Sequence, residues 1–167
     1  QKLSLPRQDQ FGIDLQGIDF QVRAGEVVGI AGVSGNGQRE LLYALSGEDT
    51  RAEPAMVQVS GKDAGRMGPA KRRALGLHFV PEERLGRGAV PSMSLAHNLL
   101  LTRKTALGKG GWIHMGKLQH QARDIISRFN VKAGGPQSAA QSLSGGNLQK
   151  FIVGREIDAQ PSLLIIS

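Results

Sequence analysis

The sequence predicts an α/β domain, and three observations carry that prediction. Short apolar runs with strand character alternate with amphipathic helical stretches along the whole chain. A glycine-rich turn at 32–37 joins one such run to a helix. A glycine pair, Gly145 and Gly146, opens another helix near the end of the chain. The 167 residues are enough for a single sizeable core. Their 40% hydrophobic and 21% charged content belongs to a folded chain rather than a disordered one. The absence of cysteine excludes a disulfide scaffold and any thiolate metal site. No apolar run approaches the roughly 20 residues of a membrane span, and the first ten residues do not read as a signal peptide. The chain starts at Gln1 and stops at Ser167 inside an apolar run, as a piece of something longer would.

Taken in order, Ile13, Leu15, Ile18, Phe20 and Val22 alternate with polar residues and predict one or two half-buried strands. Ala24 and Gly25 turn the chain into 26–31, an apolar run that reads as a buried strand. After the glycine turn, 38–46 is an amphipathic helix with Leu41, Leu42 and Leu45 inward and Gly47 as its stop. Residues 56–60 followed by Gly61 and Lys62 are an exposed strand and turn, 69–75 a short basic helix with Pro69 in its first turn, and 77–80 a strand closed by Pro81. Ser94 caps a helix to Leu101. That helix places Met93, Leu95 and Leu99 so that not all three can face inward, which makes part of this face a candidate docking patch. Residues 102–116 loop outward, and 117–130 is a helix with Leu118, Ala122, Ile125, Ile126 and Phe129 on one face. A helix over 147–159 turns Leu148, Phe151, Ile152 and Ile157 inward, and 163–166 is a final buried strand.

The net charge of +7 is unevenly held. Residues 1–87 carry 12 basic and 11 acidic side chains, whereas 88–167 carry 9 basic and 3 acidic. Single-strand nucleic-acid binders interleave such charge with stacking aromatics. This half has only Trp112, Phe129 and Phe151, so it reads as a solvated basic face.

A phosphate-binding loop needs backbone N–H groups aimed at an anion, glycines where the chain turns tightly, and a helix N-terminus behind it. Gly32, Val33, Ser34, Gly35, Asn36 and Gly37 sit where such a loop belongs. The pattern G-x-x-x-x-G-K-[ST] then asks for a lysine and a hydroxyl, and Gln38 and Arg39 stand in their places. Loss of the lysine removes a charge-assisted contact of roughly 1.5–3 kcal/mol. Loss of the hydroxyl removes a usual magnesium ligand. Glu40 adds a negative charge nearby, while Arg39 can reach a phosphate in part.

The second glycine motif is more specific. Leu143, Ser144, Gly145, Gly146 and Asn147 put a hydroxyl and free N–H groups at a helix start. They resemble the LSGGQ signature of the ATP-binding domains of ABC transporters, with Asn147 in place of Gln. More narrowly, 29–38, 80–84 and 144–150 are similar to the second of two tandem ATPase domains in bacterial sugar and nucleoside importers. The resemblance implies a P-loop core with an antiparallel β-subdomain over about 1–89, a helical signature subdomain over about 90–158, and the Walker B strand at 162–167. It makes Gly32 to Arg39 a degenerate Walker A loop, puts Glu82 at the Q-loop glutamine, and puts Ser167 at the Walker B aspartate. The family's catalytic glutamate, D-loop and switch histidine would lie beyond residue 167, and His78, His97, His114 and His120 match no switch position and no metal spacing. No aromatic matches the adenine-stacking position; Phe11 is nearest and reads as a core or edge residue.

The same resemblance implies ATP bound weakly at the chain's own loop, with magnesium lacking its usual anchors there. The implied partners are a second ABC ATPase domain whose ATP the signature completes, integral membrane permease subunits facing the region after Glu82, and a solute-binding protein. The implied place is the cytoplasmic face of the cell membrane. Two other readings remain at this stage: a non-transport member of the family acting on nucleic acid, supported only by the basic second half, and a structural module whose glycine loop binds nothing.

Overall fold

The computed structural model describes residues 2–103 and 113–167, so most of the loop expected at 102–116 lies outside the described residues. The chain divides into two compact units, Gln1–His78 and Phe79–Ser167. In the first, β1 (Leu3–Leu5) pairs antiparallel with β2 (Leu15–Ile18), matching Leu3 to Ile18 and Leu5 to Leu15 across an irregularity. Leu3, Leu5 and Leu15 are buried. Helix α1 (Gln38–Ser46) follows, with Leu41 and Ala44 buried and Leu42 and Leu45 half-buried. Gly47, at φ 88°, ends it, and its N–H donates to the Tyr43 carbonyl at 3.1 Å. A hairpin of β3 (Gln58–Val59) and β4 (Lys62–Asp63) and the short helix α2 (Pro69–Ala74) complete the unit before β5 (Leu77–Val80).

Two expectations fail here. Residues 26–31 form no strand; Val27 is 96% exposed and Val28 and Ile30 are exposed with it. A strand buried on both faces needs neighbours on both edges, and among the described residues no strand pairs with this run. Arg23 and Glu26 instead close a turn, the Glu26 N–H donating to the Arg23 carbonyl at 3.0 Å and the Arg23 N–H to Glu26 Oε2 at 2.7 Å. Phe11 is 83% exposed in the turn ahead of β2, where its N–H donates to Asp9 Oδ1, so it is not a core residue; Phe20 is exposed as well.

Arg72, on α2, is fully buried and fastens this unit. Its guanidinium donates to the carbonyls of Met67 (2.8 Å), Leu45 (2.7 Å), Gly65 (2.9 Å) and Ala44. Two of these belong to the last turn of α1, where unpaired carbonyls and the negative end of the helix dipole favour a cation. Burial lowers the pKa of Arg72 from its ordinary value, and the charge of Asp49 opposes that shift. Asp49 accepts from Arg51 Nη2 at 2.7 Å and from Gln8 Nε2 at 3.0 Å. The hydrogen bond from Arg51 holds the Asp49 carboxyl at about 2.

The second unit is helical. Ser94 caps α3 (Leu95–Leu100), its hydroxyl accepting from the His97 N–H at 3.2 Å. Helix α4 (Met115–Arg128) buries Leu118, Ala122 and Ile125, and α5 (Gly145–Asp158) buries Leu148, Phe151 and Ile152 against them. A Cβ on Gly154 would lie 2.6 Å from Phe129 Cδ2, so only glycine lets this ring close on α5. Helix α5 starts two residues before the expected 147, and Ile157 is 41% exposed rather than inward. Leu95 and Leu99 are fully buried, which leaves Met93, 40% exposed, as the outward member of that trio. The final strand β6 (Leu163–Ile166) pairs with β5, and the Ser167 N–H donates to the Val80 carbonyl at 3.0 Å.

Replacing Arg72 by Met should lower stability by at least about 3 kcal/mol in urea unfolding, because several buried carbonyls lose their only cationic donor. Arg72→Lys should recover little, since one ammonium cannot reach carbonyls spread over two segments, 44–45 and 65–67. The folded pKa of Asp49 lies below its ordinary value of 3.8. Its contribution is therefore complete above about pH 4 and lost as the pH falls towards 2. With the half-exposed Arg51 screened by solvent, Asp49→Asn should cost about 1–2 kcal/mol at pH 7, and the difference should vanish near pH 2.

Candidate functional site

The glycine turn at 32–37 is exposed except for Gly37, the residue before α1. Gly37 adopts φ 93°, a left-handed conformation that suits glycine, and a Cβ there would lie 3.3 Å from Ile13. The turn is closed by its own side chains. Gln38 Nε2 donates to the Val33 carbonyl at 2.8 Å, and Gln38 Oε1 accepts the Asn36 N–H at 3.1 Å. Asn36 Nδ2 also reaches the Val33 carbonyl, at 3.2 Å. A Cβ on Gly32 would lie 2.4 Å from Gln38 Nε2, so the amide fills the mouth of the turn. Arg39 turns to Glu40, 3.3 Å away, rather than to the turn.

A cleft of about 180 Å³ beside α1 is walled by Asp9, Arg39, Glu40, Tyr43, Asp49 and Arg51, smaller than the roughly 300–1,000 Å³ usual for ligand pockets. Magnesium does not fit this turn: Gln38 and Arg39 offer an amide and a cation where a hydroxyl would be needed. Among the described residues no group of three acidic or histidine side chains is placed to hold a metal ion.

The start of α5 is different. Ser144 precedes the helix, yet its hydroxyl caps no backbone N–H of it. Instead Ser144 Oγ accepts from Asn147 Nδ2 at 2.9 Å, which leaves the hydroxyl proton free to donate outward. Asn147 Oδ1 accepts the Lys132 N–H at 2.9 Å, so both ends of the amide are engaged and Ser144 is held in register with the segment after α4. The N–H groups of Gly145, Gly146 and Asn147 make no hydrogen bond among the described residues. Ser144, Gly145 and Gly146 are exposed, and around Gly146 there is open space. Leu143 packs half-buried against the core behind them.

Of the remaining expected residues, Glu82 is exposed just after β5, and Ser167 is exposed at the end of β6. Two groups that sequence reasoning did not single out matter here. Arg84 lies over the start of α5; a Cβ on Gly145 would lie 2.4 Å from its Nη1. Asn98 is fully buried, its Nδ2 donating to the carbonyls of Val90 (3.1 Å), Met93 (3.1 Å) and Ser94 (3.2 Å) and its Oδ1 accepting the Val90 N–H (2.7 Å). Arg155 of α5 donates to the carbonyls of Asn98 and Gly88 at 3.2 and 3.0 Å, which fixes the 88–94 segment to that helix.

A glycine turn leading into α1, and a serine and two glycines opening α5, are the marks of an ATP-binding cassette. The chain belongs to the ABC transporter family, whose model matches residues 15–166. It is 37% identical over 163 residues, 96% of its length, to the nucleoside import ATP-binding protein NupA of Lactococcus lactis, covering 32% of that protein. It is 37% identical to the guanosine import ATP-binding protein NupO of Bacillus subtilis (95% of this chain, 31% of that one) and 39% identical to the glucose import ATP-binding protein TsgD13 of Haloferax volcanii (94% and 29%). The chain thus spans about a third of the length of the curated relatives it matches. Among solved structures, the ATP-binding cassette MJ0796, in a dimeric post-hydrolysis state bound to ADP and Pi, superposes with a TM-score of 0.72 at 16% identity, over 99% of this chain and 70% of that one. The structure of cbiO1 of Clostridium perfringens, part of the ABC transporter complex cbiONQ, superposes with a TM-score of 0.66 at 17% identity, over 99% of this chain and 62% of that one. These likenesses establish the ABC ATPase fold.

Asn147→Ala should release both Ser144 and the Lys132 amide. Hydrogen exchange at Lys132 should quicken, and stability should fall by about 1–2 kcal/mol, the size of two modest hydrogen bonds.

Proposed function

We propose that this chain is part of the energy-coupling ATPase of an importer for sugars or nucleosides, and that it works by donating its signature to ATP held on another domain. The observation that carries the reading is the contrast between two helix starts. At α1 the turn is filled by the Gln38 amide, which occupies the Asn36 N–H and the Val33 carbonyl. At α5 the Ser144 hydroxyl proton and the N–H groups of Gly145, Gly146 and Asn147 make no hydrogen bond among the described residues, and the space beside Gly146 is open. An anion meets a turn whose mouth is filled by a side-chain amide at the first, and unblocked donors at the second.

In this reading residues 143–147 close over the terminal phosphate of ATP bound to an intact partner domain, and hydrolysis proceeds there. The chain's own turn binds ATP weakly and without a magnesium anchor, since Gln38, Arg39 and Ser167 replace the groups the family uses. The names of the relatives, which import a nucleoside, guanosine or glucose, support the solute class. The partners are a second ABC ATPase domain, permease subunits of the membrane met through the region that follows Glu82 and includes Met93, and a solute-binding protein outside. Attachment at the cytoplasmic face is through those permease subunits; among the described residues no helix is long and apolar enough to cross a membrane.

The test uses the full-length protein assembled with its membrane subunits. Ser144→Arg and Gly146→Asp should abolish transport-coupled hydrolysis by bulk and charge, whereas Gln38→Ala should leave most of it. If the Gln38 variant is as inactive as the signature variants, the division of labour between the two helix starts is wrong.

A further inference from the structure

We propose that Asn98 is a positioning residue that couples the membrane subunits to the signature: it holds the 90–94 segment rigid, so that a permease seated at Met93 moves residues 143–147 with it. This rests on the reading that a permease docks at Met93 and that 143–147 close over a partner's ATP. All the residues involved belong to the second unit. The 90–94 segment has no helix or strand of its own beyond a single bridge at Ser94, so its backbone groups must find partners elsewhere. Asn98, fully buried, supplies many of them. Its Nδ2 donates to the carbonyls of Val90, Met93 and Ser94, and its Oδ1 accepts the Val90 N–H. Among the described residues all of its side-chain bonds go to the segment that carries Met93, and none to α4 or α5. A satisfied buried amide of this kind turns an irregular loop into a fixed one.

The fixed segment is then joined to the signature by two routes. Along the first, it is zipped to 136–141: the Leu95 N–H donates to the Ser138 carbonyl and the Ala96 N–H to the Pro136 carbonyl, both at 2.9 Å, while the Ala140 and Gln141 N–H groups donate to the Met93 and Pro91 carbonyls, both at 3.0 Å. Gln141 stands three positions before Ser144. The short turn Ala140–Ser142 closes that distance, with the Leu143 N–H donating to the Ala140 carbonyl at 3.3 Å. The second route runs through α5, where Arg155 donates to the carbonyls of Gly88 and Asn98, one on each side of the segment. Met93 and Ser144 are thus connected both through the chain ahead of α5 and through the body of that helix. Leu95 and Leu99 are fully buried beneath the segment, and Met93, 40% exposed, is the apolar side chain it presents outward. With close packing behind it, a displacement of Met93 is passed on rather than absorbed. Asn98 itself is buried away from both ATP and permease and acts only on position.

The experiment measures ATP hydrolysis by the full-length protein before and after assembly with its membrane subunits, and reads the factor by which assembly accelerates it together with KM for ATP. Asn98→Ala should lower that factor about fivefold or more, the lower end of ordinary coupling between two sites, with KM for ATP unmoved. A merely structural role would reduce both rates together and leave the factor unchanged, which would overturn the inference. The exposed Met93→Asp separates the two levels of the argument. If it loses the acceleration while Asn98→Ala keeps it, docking at Met93 stands and the role of Asn98 falls. If Met93→Asp is accelerated in full, the docking reading is removed, and this inference with it. Should Asn98→Ala fail to fold, hydrogen exchange on the unsubstituted assembly decides. The amides of Leu95, Ala96, Ala140 and Gln141 should open in one step with those of Phe151 and Ile152 in α5. Earlier opening of the first four would reveal a hinge between Met93 and the signature and overturn the inference.

Discussion

The first turn of α5 presents three backbone N–H groups and a hydroxyl proton that nothing in its unit uses, and much of that unit serves to keep them so. A serine before a helix ordinarily turns its oxygen onto the helix's own N–H groups. Here Asn147 takes that oxygen, and the amide's other end is pinned by Lys132. Behind the first turn, Leu148, Phe151 and Ile152 are buried against α3 and α4, so α5 cannot tilt to bury its open end. Arg155 ties the same helix to the 88–94 segment, which the fully satisfied Asn98 amide holds from within. Donors left free on a rigid element are preorganised for an anion, and none of their orientation has to be created when one arrives.

The same physical problem is solved oppositely at α1. Its N-terminus follows a glycine, Gly37, which has no side chain to cap it. Gln38, the first residue of the helix, folds back across the turn it follows and closes that turn on itself, although the first N–H groups of the helix stay unbonded among the described residues. A lysine at this position would have no acceptor to offer the Asn36 N–H. The replacement thus does more than delete a charge: it installs a neutral group that is both donor and acceptor and can satisfy the turn without any ligand. The far end of α1 is held just as firmly by Arg72, so both helices have one end fixed by a buried guanidinium network and differ only in what their other end offers.

Helices and motifs were readable in the sequence because their signals are local. The 3.6-residue spacing of Leu118, Ala122 and Ile125, the serine before α3 and the glycine after α1 each act over a single turn of chain. Residues 26–31 were misread because apolar content signals burial, while burial in a sheet depends on strands distant in sequence that must flank the run. Ile157 was misplaced for a related reason: helical periodicity gives a direction but not how far the core extends along the helix. The signature was legible as a motif, yet Arg84, 61 positions before Gly145, was not. Nothing in its neighbourhood says that a tight loop fastened by Gly88 will bring its guanidinium to another helix. The fold-back of Gln38 was equally hidden, since a substitution at a motif position reveals what is lost and not what the new side chain does.

The exposed run at 26–31 has a consequence for the chain as a physical object. Val27, Val28 and Ile30 present apolar, β-branched side chains and unpaired backbone groups to water along one continuous stretch. Such a stretch is a template for intermolecular strand pairing. The residues that restrain it are charged and lie at one end only, Arg23 and Glu26, and these are occupied with each other in the turn. The run therefore offers the polypeptide a surface on which a second extended segment could pair. A charge introduced at Val27, more exposed than Val28 or Ile30, would act as a gatekeeper against such pairing without touching either helix start.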